Sequence, residues 1–560
     1  MLQMRVARVR RIALIGLAGA LALSMSACAE SKRDDAAGGG GKTGGTLVFG
    51  TASVPKLFDP LFNDEGETDR ITRQMYDTLV AFKEGTSELT PGLAEKWTPS
   101  PDGKTWTFDL RKGVKFHDGT PFNAAAVCFN FDRWFNMAGA AAQSQMIYYG
   151  DVFEGFKKNE GDASGEPVYK SCEAKDENTA VLNLNKYKGA FPAAFGLGSF
   201  GMSSPEALKK YDADKVTQSG EAFSYSSYAN EHPTGTGAFK FESYDKTAKT
   251  VTLVRNDDYW GEKAKLDKIV FKTISDENAR KQELRAKTID GYDLVSPQDY
   301  QALKNDGFTL SPRPPFNLLY LGINQKNNPA LKDLKVRQAL AYALDREALV
   351  KTKMPEGATV AKEFQPDTLA GYAKDVQEYP HDVNKAKQLL AEAGQSNLTL
   401  NFYWPTEVTR PYMPNPQEIA SALADNLKQA GITVNLVPRP WNGGYKDDVQ
   451  KLGKHDLHII GWNADYADAG NFLGTFFGRA KPEFGFDNPE LFAQLSKADG
   501  TVDPAAHAAA YEQANRDIMS KYLPAVPILS SPPAYVTAAN IKGMVASPLN
   551  NEHFNTVSKG

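Results

Sequence analysis

PGLAEKWTPSPDGKTWTFDLRKGVKFHDGTPF, residues 91–122, reads as sheet with its corners marked. Pro101-Asp102-Gly103 is a turn, because proline presets one dihedral and glycine accepts the left-handed one. Thr105 to Leu110 then alternates polar and apolar residues, a strand with one buried face. Val114 to Phe116 reads as a further short strand, followed by the turn His117-Asp118-Gly119-Thr120-Pro121. The stretch is scaffold and carries no catalytic spacing.

Outward from it, Thr46 to Gly50 (TLVFG) reads as a first strand. Helices become legible in the second half. Val336, Leu340, Ala343 and Leu344 share one face at i, i+4, i+7 and i+8. Asp382 can cap a helix carrying Ala386, Leu389, Leu390 and Ala393, which Gly394 ends. Ile419, Leu423 and Leu427 mark another, ended by Gly431, after which Ile432 to Val437 resumes as strand. Strands and helices at this spacing predict an α/β lobe, while the front half is richer in strands.

The chain opens with Arg5, Arg8, Arg10 and Arg11, an apolar run from Ile12 to Leu23, and Met25-Ser26-Ala27-Cys28. That is a secretory signal peptide over 1–27, too short to span a bilayer, which takes ~20 residues. The cysteine after the cut resembles a bacterial lipobox with Met25 in place of leucine, so Cys28 is the expected lipidation site. Residues 28–45 hold no apolar side chain larger than alanine beyond that cysteine and read as a flexible tether. The remaining 515 residues suffice for two or more lobes. Cleaving 1–27 removes four arginines and no acids, taking the net charge from −4 to −8. A mildly acidic exported chain does not suit nucleic-acid binding. Cys128 and Cys172 remain, as a disulfide or as two buried thiols; spacing alone does not decide.

Several stretches together resemble the peptide/nickel class of substrate-binding proteins that serve ABC importers. They are residues 91–122, Gly235 to Phe239 (GTGAF), Tyr259-Trp260-Gly261, Asp333 to Glu347 (DLKVRQALAYALDRE) and the closing His553 to Val557 (HFNTV). The resemblance implies an α/β, two-lobed periplasmic-binding-protein clamp, type II, of the large class with an extra subdomain in lobe I. Lobe I would take 46–314, with the subdomain at about 76–228, lobe II 315–525, and 526–560 would return to lobe I. The crossings are expected near Pro314-Pro315 and around Pro524 to Pro527, where proline interrupts regular structure.

Within that family, Thr409 to Pro416 (TRPYMPNP) looks like the segment of dipeptide-binding members whose arginine, here Arg410, grips the ligand carboxylate. Gly461 to Asp468 (GWNADYAD) looks like the segment whose first aspartate, here Asp465, holds the ligand ammonium; Asp468 matches its second acid. A buried zwitterion strands two charges unless each finds a partner. Arginine donates two parallel hydrogen bonds to a carboxylate, and an ionised aspartate only accepts. Gly461, Tyr412 and Trp462 would complete the ligand wall, with Phe58-Asp59-Pro60 opposite. Outside the matched segments these residues read as a loop arginine, a turn cap and core aromatics.

Enzyme signals are weak. Gly196 to Gly201 fits GxGxxG before a helix start at Ser204-Pro205-Glu206, but no dinucleotide suits an exported protein. His455 and His458 are read as pointing to opposite faces of a strand. The expected protein is therefore not an enzyme and holds no metal or cofactor. It is a lipid-anchored, extracytoplasmic monomer that passes short peptides, di- to oligopeptide, to ABC permease subunits. Other expectations are a metal chelate or small glycan as cargo or, in another class, an extracellular hydrolase.

Overall fold

The architecture comes from a computed structural model that describes residues 43–160, 165–220 and 222–560. The expected signal peptide, Cys28 and the tether up to residue 42 lie outside the described residues. The tether ends sooner than its composition suggests. Gly44 donates to the Lys265 carbonyl at 2.6 Å, and Gly45 donates to Asp267 Oδ2 at 2.8 Å. Both glycines have positive φ, +103° and +91°, so here the Gly-Gly pair serves a docked turn.

A seven-stranded sheet runs in the order Phe239–Asp245, Thr250–Arg255, Lys268–Thr273, Thr46–Thr51, Gly291–Tyr292, Ala534–Thr537 and Thr309–Pro312. A six-stranded sheet runs Thr359–Val360, Ala525–Ser530, Asn317–Ile323, Leu457–Asn463, Thr399–Thr406 and Thr433–Pro440. Asn317–Ile323 is buried at every position, as befits a strand covered on both faces. A four-stranded sheet, Ala94–Pro99, Thr105–Leu110, Thr179–Leu184 and Tyr169–Asp176, forms the third body with helix Ala124–Phe135 against it. Cys128 on that helix is bonded to Cys172 on the edge strand, with 5.1 Å between the Cα atoms. The segment Val114–Phe116 is no strand. Phe116 donates to Thr120 and Phe122 to Val114, closing a tight loop on itself.

The predicted helices form where their caps direct. Asp382 accepts from the Lys385 amide at 2.8 Å to start Val383–Glu392, and Gly394 follows at φ +69°. Asn415 accepts from the Glu418 amide to start Pro416–Gln429, whose Ile419, Leu423 and Leu427 are fully buried.

The chain passes between the two large sheets twice. The first crossing runs through 313–316. The second runs through 531–533, and not at 524–527, because Ala525–Ser530 pairs with Asn317–Ile323 inside the six-stranded sheet. Pro527 is tolerated there because the register shifts between Leu319 and Tyr320, leaving a bulge that needs no donor from it. The crossings are stitched together. Arg313 donates its amide to Pro533, and Asn317 exchanges two hydrogen bonds with the Ser531 backbone. Beside them the buried Arg313 guanidinium bridges Asp293 and Glu552, each by two contacts of 2.6–3.1 Å. Arg70 joins the same acids. The two arginines hold the Asp293 carboxyl far below the usual range despite its burial.

Candidate ligand cleft

Sheet direction places the cleft. Thr399–Thr406 is parallel to both Thr433–Pro440 and Leu457–Asn463, so three carboxyl ends leave one edge of the six-stranded sheet. Asn317–Ile323 is antiparallel to them and begins at that edge, where both crossings lie. In the seven-stranded sheet Thr46–Thr51, Lys268–Thr273 and Gly291–Tyr292 are parallel, and Ala534–Thr537 enters from the crossing where they end. Each sheet thus turns carboxyl ends toward the crossings, the position where open α/β sheets bind ligands.

Arg410 and Asp465 follow two of those ends. Arg410 sits in a short loop closed by reciprocal backbone bonds with Met413, 3.1 and 2.9 Å. Its guanidinium lies 4.5 Å over the Trp441 ring, and among the described residues it has no hydrogen bond or ion pair. Asp465 is half-buried and accepts from Tyr148 Oη at 3.1 Å and Asn471 Nδ2 at 3.2 Å. Both donors are neutral, and no cation pairs with it among the described residues. Burial therefore pushes its carboxyl up to about 7, against those hydrogen bonds.

The supporting residues differ in role. Gly461 has no room for a side chain: a Cβ would stand 2.1 Å from the Leu318 oxygen and 2.6 Å from the Tyr412 ring. Tyr412 is buried against it, so that ring is largely core. Trp462 is half-buried and donates its indole to Asn471 Oδ1 at 3.2 Å. Asn471 also accepts from the Asp465 amide and so fixes both neighbours. Asp468 is turned away, onto His507 at 3.1 Å.

Two expectations change. Asp59 is fully buried and paired with Arg133 at 2.7 Å, and Phe58 beside it is core, so this segment is not a cleft lining. His455 lies before the strand Leu457–Asn463, so strand alternation does not apply to it, and its ring centre is 4.4 Å from that of His458. Both are fully buried and bonded to Glu483, to its carbonyl and carboxylate respectively. Gly198 and Gly201 of the GxGxxG stretch are close-approach glycines, a Cβ on Gly198 meeting Asp69 at 2.2 Å.

Sequence reasoning missed Tyr148, Trp441 and Asn471. Tyr148 reaches Asp465 across 317 residues of chain, a partnership without local signal. Asn471 lies six residues beyond Asp465, and Trp441 directly follows Thr433–Pro440, so a topology would have found them. A cavity of about 460 Å³ between Lys56, Gln145 and Phe223–Tyr225 touches none of the expected residues.

Two α/β lobes joined by a stitched double crossing, with their carboxyl ends turned to it, make a two-lobed binding-protein clamp of type II. The family described as bacterial extracellular solute-binding proteins, family 5 Middle, matches residues 88–483, and the chain belongs to that family. The dipeptide-binding protein of Escherichia coli K12 is 32% identical over 526 residues, 92% of this chain and 94% of the relative. Heme-binding protein A of Haemophilus influenzae is 33% identical over 525 residues, 92% of each. The solved dipeptide-binding protein of Pseudoalteromonas sp. SM9913, in complex with Met-Leu, has a TM-score of 0.78 at 26% identity, covering 92% of this chain and 100% of that one. The chain is thus a solute-binding protein rather than an enzyme. No helix among the described residues is long and apolar enough to cross a membrane.

Proposed function

We propose that this chain captures short peptides by their two charged ends, Arg410 taking the carboxylate and Asp465 the ammonium, and delivers them to an ABC permease. One observation carries the reading: a guanidinium and a carboxyl without charged partners stand past the carboxyl ends of neighbouring parallel strands. Each is held by neutral groups that orient it without neutralising it. A zwitterion supplies both missing charges, and backbone contacts leave its side chains free to vary. Dipeptide-binding relatives at 32% and 26% identity over nearly the whole chain support the same cargo. The reading includes a monomer held at the membrane surface by lipid on Cys28, which blocked lipid labelling of Cys28→Ser would test.

Calorimetric titration with di-, tri- and tetrapeptides, free and end-blocked, tests the cargo. Free peptides should bind tightly and blocking either end should abolish it, as should Arg410→Met or Asp465→Asn. Hemin belongs in the same series, because a heme-binding relative is as similar as the dipeptide-binding one. Binding of hemin, glycan or metal chelate with no binding of any free peptide would reject the assignment.

A further inference from the structure

Arg410 does not stand alone on Trp441. Lys446 Nζ lies 5.7 Å from the centre of the same indole ring, opposite in sequence to Arg410 at 4.5 Å. Both cations come from segments at one sheet edge, Arg410 after Thr399–Thr406 and Lys446 within the wide helical turns that follow Thr433–Pro440. Trp441 itself is buried and stacked on Tyr445, whose hydroxyl donates to the Ile459 carbonyl, which ties the shared platform to the strand Leu457–Asn463.

Neither cation is neutralised. Other basic side chains have acids: Lys56 pairs with Asp64 at 3.1 Å, and Lys188 with Glu154 and Asp499. Lys446, half-buried, has no ion pair or hydrogen bond among the described residues. Its amine lies below its usual value, burial first, with Arg410 adding repulsion and Asp64 and Glu65 opposing. Asp64 also pairs with Lys56, and Glu65 caps helix Gly66–Thr72; both attract Lys446 from a distance, but neither makes an ion pair with it. Two partly desolvated cations on one ring repel each other until anions arrive.

We infer that Lys446 forms a second anion subsite beside Arg410, so that the preferred ligands are peptides whose C-terminal residue is acidic. This rests on the peptide reading: Arg410 takes the main-chain carboxylate and Lys446 the side-chain carboxylate of Asp or Glu. A flexible ammonium suits the second role because it meets a carboxylate from several directions, whereas the planar guanidinium suits the fixed one.

The test is titration of the full-length chain with Ala-Glu, its neutral isostere Ala-Gln, and Ala-Ala. Wild type should bind Ala-Glu about tenfold more tightly than Ala-Gln, the scale of one charge-assisted hydrogen bond. Lys446→Met should bring that ratio to about one, and Lys446→Arg should keep it above one. A ratio near one in wild type, with Ala-Ala bound, overturns the inference and leaves the peptide reading standing. A ratio that persists in Lys446→Met overturns it too, since another group must then read the acid. If no free peptide binds, both readings fall. The wild-type ratio needs no variant, so a misfolded substitution cannot rescue the inference.

Discussion

Asp465 has to ionise to hold an ammonium group, and the fold opposes it. Burial sets its carboxyl at about 7, against about 3.9 in an unfolded chain, so below neutrality the free protein carries a proton there. The sign follows. The folded value is raised, so ionising Asp465 weakens the fold between about pH 4 and 7, and a bound ammonium offsets that cost. Peptide affinity should therefore rise about tenfold per unit from pH 5.5 to 6.5 and level off above 7. It should fall again above about pH 8, where the peptide amine deprotonates. Titrations in buffers of different ionisation enthalpy at pH 6 should detect about one proton released. A flat profile in wild type would remove Asp465 from the ammonium role. Gly461 is constrained by space and not by charge. Its neighbour at 2.1 Å is the Leu318 backbone oxygen, which cannot yield as a flexible side chain would. Gly461→Ala should destabilise the protein by about 1–3 kcal/mol in denaturant unfolding; unchanged stability would mean that the two strands can separate there at no cost.

Elements show why some of this was legible. Helix Val383–Glu392 announces itself because cap, periodicity and terminating glycine agree within a dozen residues, and Pro416–Gln429 because its apolar period ends at Gly431. The two-residue strands Gly291–Tyr292 and Thr359–Val360 carry no period, yet they are members of the large sheets. The second crossing was misplaced for a related reason: prolines at 524 and 527 look like a break, while the break lies at Pro532-Pro533. Arg410 and Asp465 are singled out by the matched segments alone, whereas the neighbours Tyr148 and Lys446 appear only once distant elements are placed side by side. The crossing itself is held by charge. Arg313→Met would leave the buried Asp293 and Glu552 facing each other with only Arg70 paired to them, a loss of about 3–5 kcal/mol. Urea unfolding should show it, and a loss under 1 kcal/mol would mean that Arg70 suffices. The bond from Cys128 to Cys172 closes 44 residues between helix Ala124–Phe135 and strand Tyr169–Asp176. By loop-closure entropy it contributes about 4 kcal/mol, so a reductant should lower the melting temperature of wild type and leave a double Cys→Ser variant unmoved.

At the scale of the whole molecule, the body built on the four-stranded sheet also touches the six-stranded lobe directly. Gly189 donates to the Asp499 carbonyl at 2.8 Å, Lys188 joins Asp499 at 2.5 Å, and Tyr148 reaches Asp465. Tyr466 of the six-stranded lobe is buried in the core cluster of the other body. Where ligand binding in a two-lobed clamp favours a closed state, contacts between the bodies tune its affinity through the population of that state. Lys188 is the test of that coupling. It is largely buried between Glu154 and Asp499, and its replacement leaves two acids without their shared cation at the contact. Lys188→Met should shift the free protein toward the open state, seen as a larger radius of gyration in solution scattering. Peptide affinity should fall about three- to tenfold, through faster release, although the residue is remote from Arg410 in the chain and holds neither of the proposed charged anchors. Saturating peptide should restore the wild-type radius, because a ligand that binds the closed state better repopulates it. If the free radius and the affinity both match wild type, this contact is indifferent to closure, and the affinity is set at the cleft and the crossings alone.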